Sequence, residues 1–279
     1  MLNPDAFSRR SLLAALVTAA AALSETNKHI PVGLELYSVR DRLGKDLMGT
    51  VDAVAKMGYE CVEFYAPYYK WTPEYAKDVR KKLDDLGIKC YSTHNDRESF
   101  TTEGLAKAVE LNSILGTQYI VMAHPGKVEG LDGWKHIADT LNEANNRMKS
   151  DGLHAGYHNH DLEWKPVEGQ KPIELLASGT DKSIMLQLDV GTCLETGNDP
   201  VAWIIDNPGR IRSLHLKDWS PAKGYRVLFG EGVAPWKKIF AAAESTGGVE
   251  YYLVEQEGSQ YPEIETASRC LVAYKDLHG

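Results

Sequence analysis

The sequence predicts a closed (β/α)8 barrel, and two observations carry that expectation. Short apolar runs alternate with amphipathic stretches of helical length eight times between residues 30 and 277. The first run passes into Tyr37-Ser38-Val39-Arg40 without the Gly-rich phosphate turn that an open doubly wound sheet usually carries there. Repeated strand–helix alternation implies parallel strands with right-handed crossovers, and eight such units close into a barrel. At 279 residues and 43% hydrophobic content the chain is large enough for one such core. No linker or low-complexity run divides it, so residues 27–279 are expected to form a single domain.

Each unit carries its own signals. Residues 30–37 read as the first strand. The helix after it, 43–57, sets Leu47, Val51 and Val54 on one face before Gly58 stops it. A strand at 60–65 leads to an amphipathic helix at 72–86, stopped by Gly87. The strand at 88–94 is followed by a helix at 102–115, closed by Gly116. The fourth strand, 119–124, precedes a long helix at 133–150. Then come strands at 153–158, 184–189, 211–216 and 251–255, followed by helices at 172–178, 200–207, 236–245 and 262–277.

Residues 1–26 stand apart. Ser8-Arg9-Arg10-Ser11-Leu12-Leu13 precedes an Ala/Leu/Val run from Ala14 to Leu23. A twin arginine, a modest apolar stretch and small residues near Ala20-Ala21-Ala22 read as a twin-arginine export signal, the plainer alternative being an amphipathic N-terminal helix. The expected destination is the periplasm or beyond, reached by a chain that folds first and carries any cofactor with it. The run is shorter than the ~20 residues that span a bilayer, so no membrane contact is expected after signal removal. A net charge of -8 argues against a nucleic-acid partner. Cys61, Cys90, Cys193 and Cys270 form no CxxC pair and read as buried thiols.

In a barrel of this kind chemistry sits at the C-terminal ends of the strands. Those ends carry Glu35, Glu63, His94, His124, His158 with His160, Asp189, His215 with Lys217, and Glu255 with Glu257. One histidine at a strand end is usually a hydrogen-bonded structural residue. A whole ring of ionisable groups is harder to explain that way, because burying them costs stability unless a metal or substrate compensates. Strand alternation gives one inward residue from each of the last four strands: His158, Asp189, His215 and Glu255. Imidazole with carboxylate suits one divalent ion such as Mn, Co, Zn or Mg. Glu63, His160 and Glu163 are acid/base candidates, and Glu163 stays open between ligand, base and loop salt bridge. Lys217 is placed to hold a substrate oxygen. Glu35, His94, His124 and Trp219 are expected to face the substrate, with Tyr37 and Tyr65 offering rings for stacking on a sugar. Gly230-Glu231-Gly232 permits a tight turn nearby.

Several segments together resemble the xylose isomerase-like TIM-barrel superfamily, often labelled sugar phosphate isomerase/epimerase. They are Gly33-Leu34-Glu35-Leu36-Tyr37-Ser38, Gly58-Tyr59-Glu60-Cys61-Val62-Glu63, Tyr157-His158-Asn159-His160-Asp161-Leu162-Glu163, Leu188-Asp189-Val190-Gly191, His215-Leu216-Lys217-Asp218, Gly230-Glu231-Gly232 and Val254-Glu255. The similarity runs from about residue 30 to the end. It implies a metal held by Glu, Asp, His and Glu from strands five to eight. Asp189, His215 and Glu255 match the last three places, while His158 stands where many relatives have Glu. The first place is therefore open between His158, His160 and Glu163.

The superfamily includes ketose epimerases, aldose–ketose isomerases, inosose and dehydroshikimate dehydratases, and endonuclease IV. The resemblance implies a metal-dependent sugar isomerase or epimerase that withdraws a proton next to a carbonyl to give an enediolate. Export points to a non-phosphorylated substrate. The alternatives are an exported 3-keto-glycoside lyase or hydratase acting by β-elimination, and a sugar-binding barrel without activity. Asp189-Val190-Gly191-Thr192 lacks a His three residues after the Asp, which departs from the endonuclease IV pattern. The expected partner is a small sugar or keto-glycoside, and the sequence leaves room for a homo-oligomer.

Overall fold

The structure, a computed structural model, describes residues 29–279. The expected export segment lies outside the described residues. Eight parallel strands close in sequence order: β1 Val32–Glu35, β2 Cys61–Phe64, β3 Lys89–Asp96, β4 Tyr119–His124, β5 His154–His158, β6 Met185–Asp189, β7 Ser213–Leu216 and β8 Tyr251–Val254. Closure is made by β1 against β8, with Gly33 opposite Leu253, and by β1 against β2, with Gly33 opposite Cys61. Gly33 is needed there because a Cβ would overlap the Cys61 thiol and carbonyl. The expected single (β/α)8 TIM barrel is the fold observed.

Inside the barrel, below the strand ends, Cys61, Tyr119, Val121, Met185, Tyr251 and Leu253 fill the space. They come from inward positions of β2, β4, β6 and β8, the layering a filled barrel requires. Outside, the helix Gly130–Met148 lays Trp134, Ile137, Leu141 and Met148 against Ile120, Met122 and Tyr157 on the backs of β4 and β5. Burying each such side chain is worth about 1.5–3 kcal/mol. All four cysteines are buried and free, as read from the sequence. Among the described residues no helix is long and apolar enough to cross a membrane.

Three elements differ from expectation for local reasons. The helix expected at 43–57 is two helices, Arg40–Leu43 and Leu47–Met57, because the Asp46 carboxylate accepts from Gly49 N at 2.9 Å and starts a new one. A short helix, Val190–Glu195, follows β6 directly, capped by Asp189, whose Oδ1 accepts from Thr192 N at 2.9 Å. The helix expected at 236–245 is α-helical only over Trp236–Ala242 and widens into a π-helical turn over Ala243–Gly247.

Candidate functional site

The barrel mouth is a cavity of about 240 Å³ lined by Glu35, Tyr37, Tyr65, His94, His124, His158, His160, Glu255 and Glu257. Alternation along the strands explains this set. Glu63 follows Cys61 by two residues, Asp189 follows Gln187, His215 follows Ser213, and Glu255 follows Leu253, each repeating an inward direction. The structure brings Glu35, Glu63, His94, His158, Asp189, His215, Lys217 and Glu255 together, all buried.

Gln187 is the hub of this cluster, a role the sequence reading missed. Its side-chain oxygen faces His94 Nε2 at 2.7 Å and His158 Nδ1 at 3.1 Å. Its amide donates to Glu63 Oε1 at 3.0 Å and to Ser213 Oγ at 3.3 Å. An amide oxygen only accepts, so the His158 proton sits on Nδ1 and the Nε2 lone pair faces Asp189, whose Oδ2 is 3.9 Å away. The Ser92 hydroxyl also donates to Glu63. The alternation that turns Asp189 inward turns Gln187 inward too, so the signal was present in β6.

Charge is dense. His215 lies between Glu255 Oε2 at 2.5 Å and Glu63 Oε2 at 2.8 Å. Burial pushes its pKa down, but the bonds to these two carboxylates outweigh burial and hold it up at about 9. Burial also resists ionisation of Glu63, yet the His94 and His215 imidazoles and Ser92 draw it down to about 2. Burial lowers His94 to about 4, so it is neutral near pH 7. Lys217 Nζ sits 3.3 Å from Glu255 Oε1 and 3.5 Å from Asp189 Oδ2, and also contacts Glu257. Burial opposes its charge, but these carboxylates hold its pKa well above the usual lysine value.

Among the described residues two buried carboxylate oxygens make no hydrogen bond: Glu35 Oε2 and Asp189 Oδ2. Both carboxyls are raised, Glu35 by burial and then by Glu63 and Glu255, Asp189 by burial against the pull of Lys217. A buried acceptor without a partner costs about 1–3 kcal/mol. Ligand atoms of His158, Asp189 and Glu255 lie within 4.8 Å of one another, as do those of His94, His158 and His215, and of Glu35, Glu63 and His94. A donor set of imidazole nitrogens and unsatisfied carboxylate oxygens fits a divalent cation. Gln187, holding Nδ1 of His158, is the kind of outer partner that orients a metal-binding imidazole.

The remaining expected residues sit around this centre. His124 and His160 stack at 5.4 Å on the rim, and the His160 ring meets His158 edge-on at 4.9 Å. Glu163 is buried off the cavity wall, where its oxygens accept from Tyr157 OH at 2.6 Å and from His160 N at 2.8 Å. Its tie to Tyr157 is a contact that periodicity cannot reveal. Trp219 is half-buried and does not line the cavity; its backbone N–H bonds Asp218 Oδ1 at 2.9 Å.

Asp218 anchors the loop after β7. Its carboxylate accepts from Trp219 N, Gly230 N, Gly232 N, Ala234 N and Trp236 Nε1 at 2.9–3.3 Å. The Gly-Glu-Gly motif follows from this: Gly230 has φ 85°, and a Cβ on Gly232 would overlap Asp218 Oδ1. The same loop lays the Tyr225 ring 4.7 Å from Lys217 Nζ.

The family described as xylose isomerase-like TIM barrel matches residues 51–273. The chain is 25% identical over 191 residues to an inosose dehydratase of Geobacillus thermodenitrificans, covering 61% of this chain and 62% of that protein. It is 34% identical over 142 residues to one of Clostridium beijerinckii, covering 44% and 47%. Both matches span less than two thirds of the relative. Among solved structures, a sugar phosphate isomerase/epimerase of Parabacteroides distasonis superposes with a TM-score of 0.75 at 26% identity, covering 90% of this chain and 95% of that one. The IolI protein with a bound zinc atom shares the fold, with a TM-score of 0.68 at 17% identity over 88% and 97% of the two chains.

Proposed function

Because the chain belongs to the xylose isomerase-like TIM barrel family, we propose that it is a divalent-metal-dependent enzyme that withdraws a proton next to the carbonyl of a non-phosphorylated sugar. The observation that carries this reading is the converged His158, Asp189 and Glu255 set, in which Asp189 Oδ2 makes no hydrogen bond and has the Lys217 ammonium beside it at 3.5 Å. The dehydratase relatives and the zinc-binding neighbour support an enzyme of this superfamily with a small sugar ligand.

His158, Asp189 and Glu255 would hold the ion, joined by His215 once it sheds one of the protons it donates to Glu63 and Glu255. The chemistry it supplies when bound is Lewis-acid polarisation of a neighbouring carbonyl oxygen. The chain's own residues do the rest. Lys217 stays an ammonium and offers its charge to an oxyanion developing beside Asp189. Glu63 is too acidic to be a strong base and serves better as an anchor for His215. No hydrogen bond among the described residues engages the His160 ring, which faces the cavity, so it is the proton acceptor of this scheme. Glu163 fixes the backbone of His160 and thereby aims it. Glu35, buried with a raised pKa, is a carboxylic acid able to return a proton. The cavity lining holds three glutamates, and Lys217 behind it is already engaged by Glu255, Glu257 and Asp189, which disfavours a phosphorylated ligand.

The inosose dehydratase relatives favour a second reading, β-elimination from a keto-sugar or 3-keto-glycoside after the same proton removal. One experiment tests the shared step: metal content by mass spectrometry, paired with solvent-deuterium uptake into a panel of keto-sugars and 3-keto-glycosides. About one divalent ion per chain and exchange beside the carbonyl are expected, and both are expected to vanish in Asp189→Asn. That variant is expected to stay folded, because its amide oxygen can keep the cap to Thr192 N. Full exchange by metal-stripped protein would sink the metal-dependent mechanism.

A further inference from the structure

A second cavity beside the mouth is not used by this chemistry. It is a half-open hollow of about 300 Å³ between the segments that follow β1 and β2, on the face where the strands end. Tyr65, Tyr68, Trp71 and Tyr75 form one side of it, and the segment 43–47 with Lys45 forms the other. Trp71 is held by edge contacts to Phe64 at 5.0 Å, Tyr68 at 5.9 Å and Tyr75 at 5.4 Å. Tyr68 is fixed in turn, donating to Asn95 Oδ1 at 2.6 Å and accepting from Asn112 Nδ2 at 2.8 Å. The box is therefore built by the fold rather than by mobile rings.

Tyr65 belongs to both cavities and meets Tyr37 edge-on at 5.3 Å on the mouth side. The two spaces share that residue in their walls. The mouth, at about 240 Å³, is smaller than the ~300–1,000 Å³ of ordinary ligand pockets, and it suits one sugar ring. A second ring joined to that sugar has to lie elsewhere, and the adjoining aromatic cavity is a half-open hollow next to it.

We propose that this cavity is a second-ring subsite: it receives the ring joined through the glycosidic oxygen to the sugar held in the mouth. The substrate class is then a two-ring glycoside rather than a free monosaccharide. The inference rests on the sugar reading of the mouth and deepens it. Aromatic walls suit the apolar faces of a sugar or aryl ring, and the Lys45 ammonium supplies a donor for a ring hydroxyl.

The test is calorimetric titration of the full chain with cellobiose and with glucose as non-reacting probes, run beside deuterium exchange on single-ring keto-sugars. Cellobiose is expected to bind about three- to tenfold tighter than glucose, the worth of one aromatic contact. Tyr75→Ala, at a ring 38% exposed, is expected to bring cellobiose to the affinity of glucose and leave glucose unchanged. Unchanged glucose binding also reports an intact fold. Equal affinities in the wild type, or an unaltered ratio in Tyr75→Ala, while keto-sugars exchange normally, would overturn the subsite alone. A preserved two-ring preference with no exchange into any keto-sugar would overturn the proton-abstraction reading and support the subsite.

Discussion

At the scale of single residues the site depends on groups that hold others in place. Gln187 satisfies His94, His158 and Glu63 at once. Gln187→Leu is expected to preserve the barrel but lower metal affinity about 10–100-fold, the usual cost of losing a partner behind a metal-binding imidazole. Competition with a chelator measures this, and unchanged affinity would remove Gln187 from the positioning role. The residues of the mouth were legible because strand parity is a period-2 rule. The role of Glu163 was not, since it depends on Tyr157 OH meeting a loop carboxylate. A pH effect belongs to this scale too. His154, on the opposite face of the barrel, has its pKa lowered by burial and then by Arg212. The unfolded chain takes up that proton near pH 6.5, the folded chain only below it, so stability is lost as pH falls through this window. His154→Asn should lose less stability between pH 7 and pH 5 than the wild type, read as the shift in urea midpoint.

At the scale of elements, two buried charges organise loops that the sequence reading treated as connections. Asp218 gathers five donors from one loop, three of them on Oδ2. Asp218→Asn turns an amide against part of that set, and a loss of about 3 kcal/mol is expected from the unsatisfied donors. Tyr225 should then leave Lys217, so a fall in kcat beyond what the remaining folded fraction explains is the outcome to look for. Arg210 is the second case. It is 2% exposed and donates to the carbonyls of Ile184, Ala177 and Asp181 and to Thr180 Oγ1, tying the helix Pro172–Gly179 to the start of β6. Arg210→Met should cost about 2–4 kcal/mol, because several acceptors lose their donors together; a midpoint within error of the wild type would show that water replaces the guanidinium freely. The strands and most helices were readable from period and glycine stops. The Val190–Glu195 helix was not, because Asp189 ends a strand, caps a helix and turns its other oxygen toward Lys217 and His158, and only the first of these shows in a hydrophobic pattern.

At the scale of the whole molecule, closure constrains when the site can exist. β1 pairs with β8, joining Val32–Glu35 to Tyr251–Val254, so the ring is complete only once nearly the whole chain is present. The site has the same property: Glu35 ends the first strand and Glu255 follows the last, the two strands that close the barrel. A chain exported unfolded would assemble this centre outside and meet whatever metal is there. A chain exported after folding would carry the ion chosen inside the cell. The proposed twin-arginine signal at Arg9 and Arg10 corresponds to the second course. Replacing both with Lys is expected to retain a folded, metal-loaded barrel in the cytoplasm, with the same metal content and thermal midpoint as the exported protein. Fractionation followed by metal analysis reads both quantities. Undiminished export of the double variant would remove the twin-arginine proposal, and a different metal in the retained protein would show that the ion is acquired after crossing.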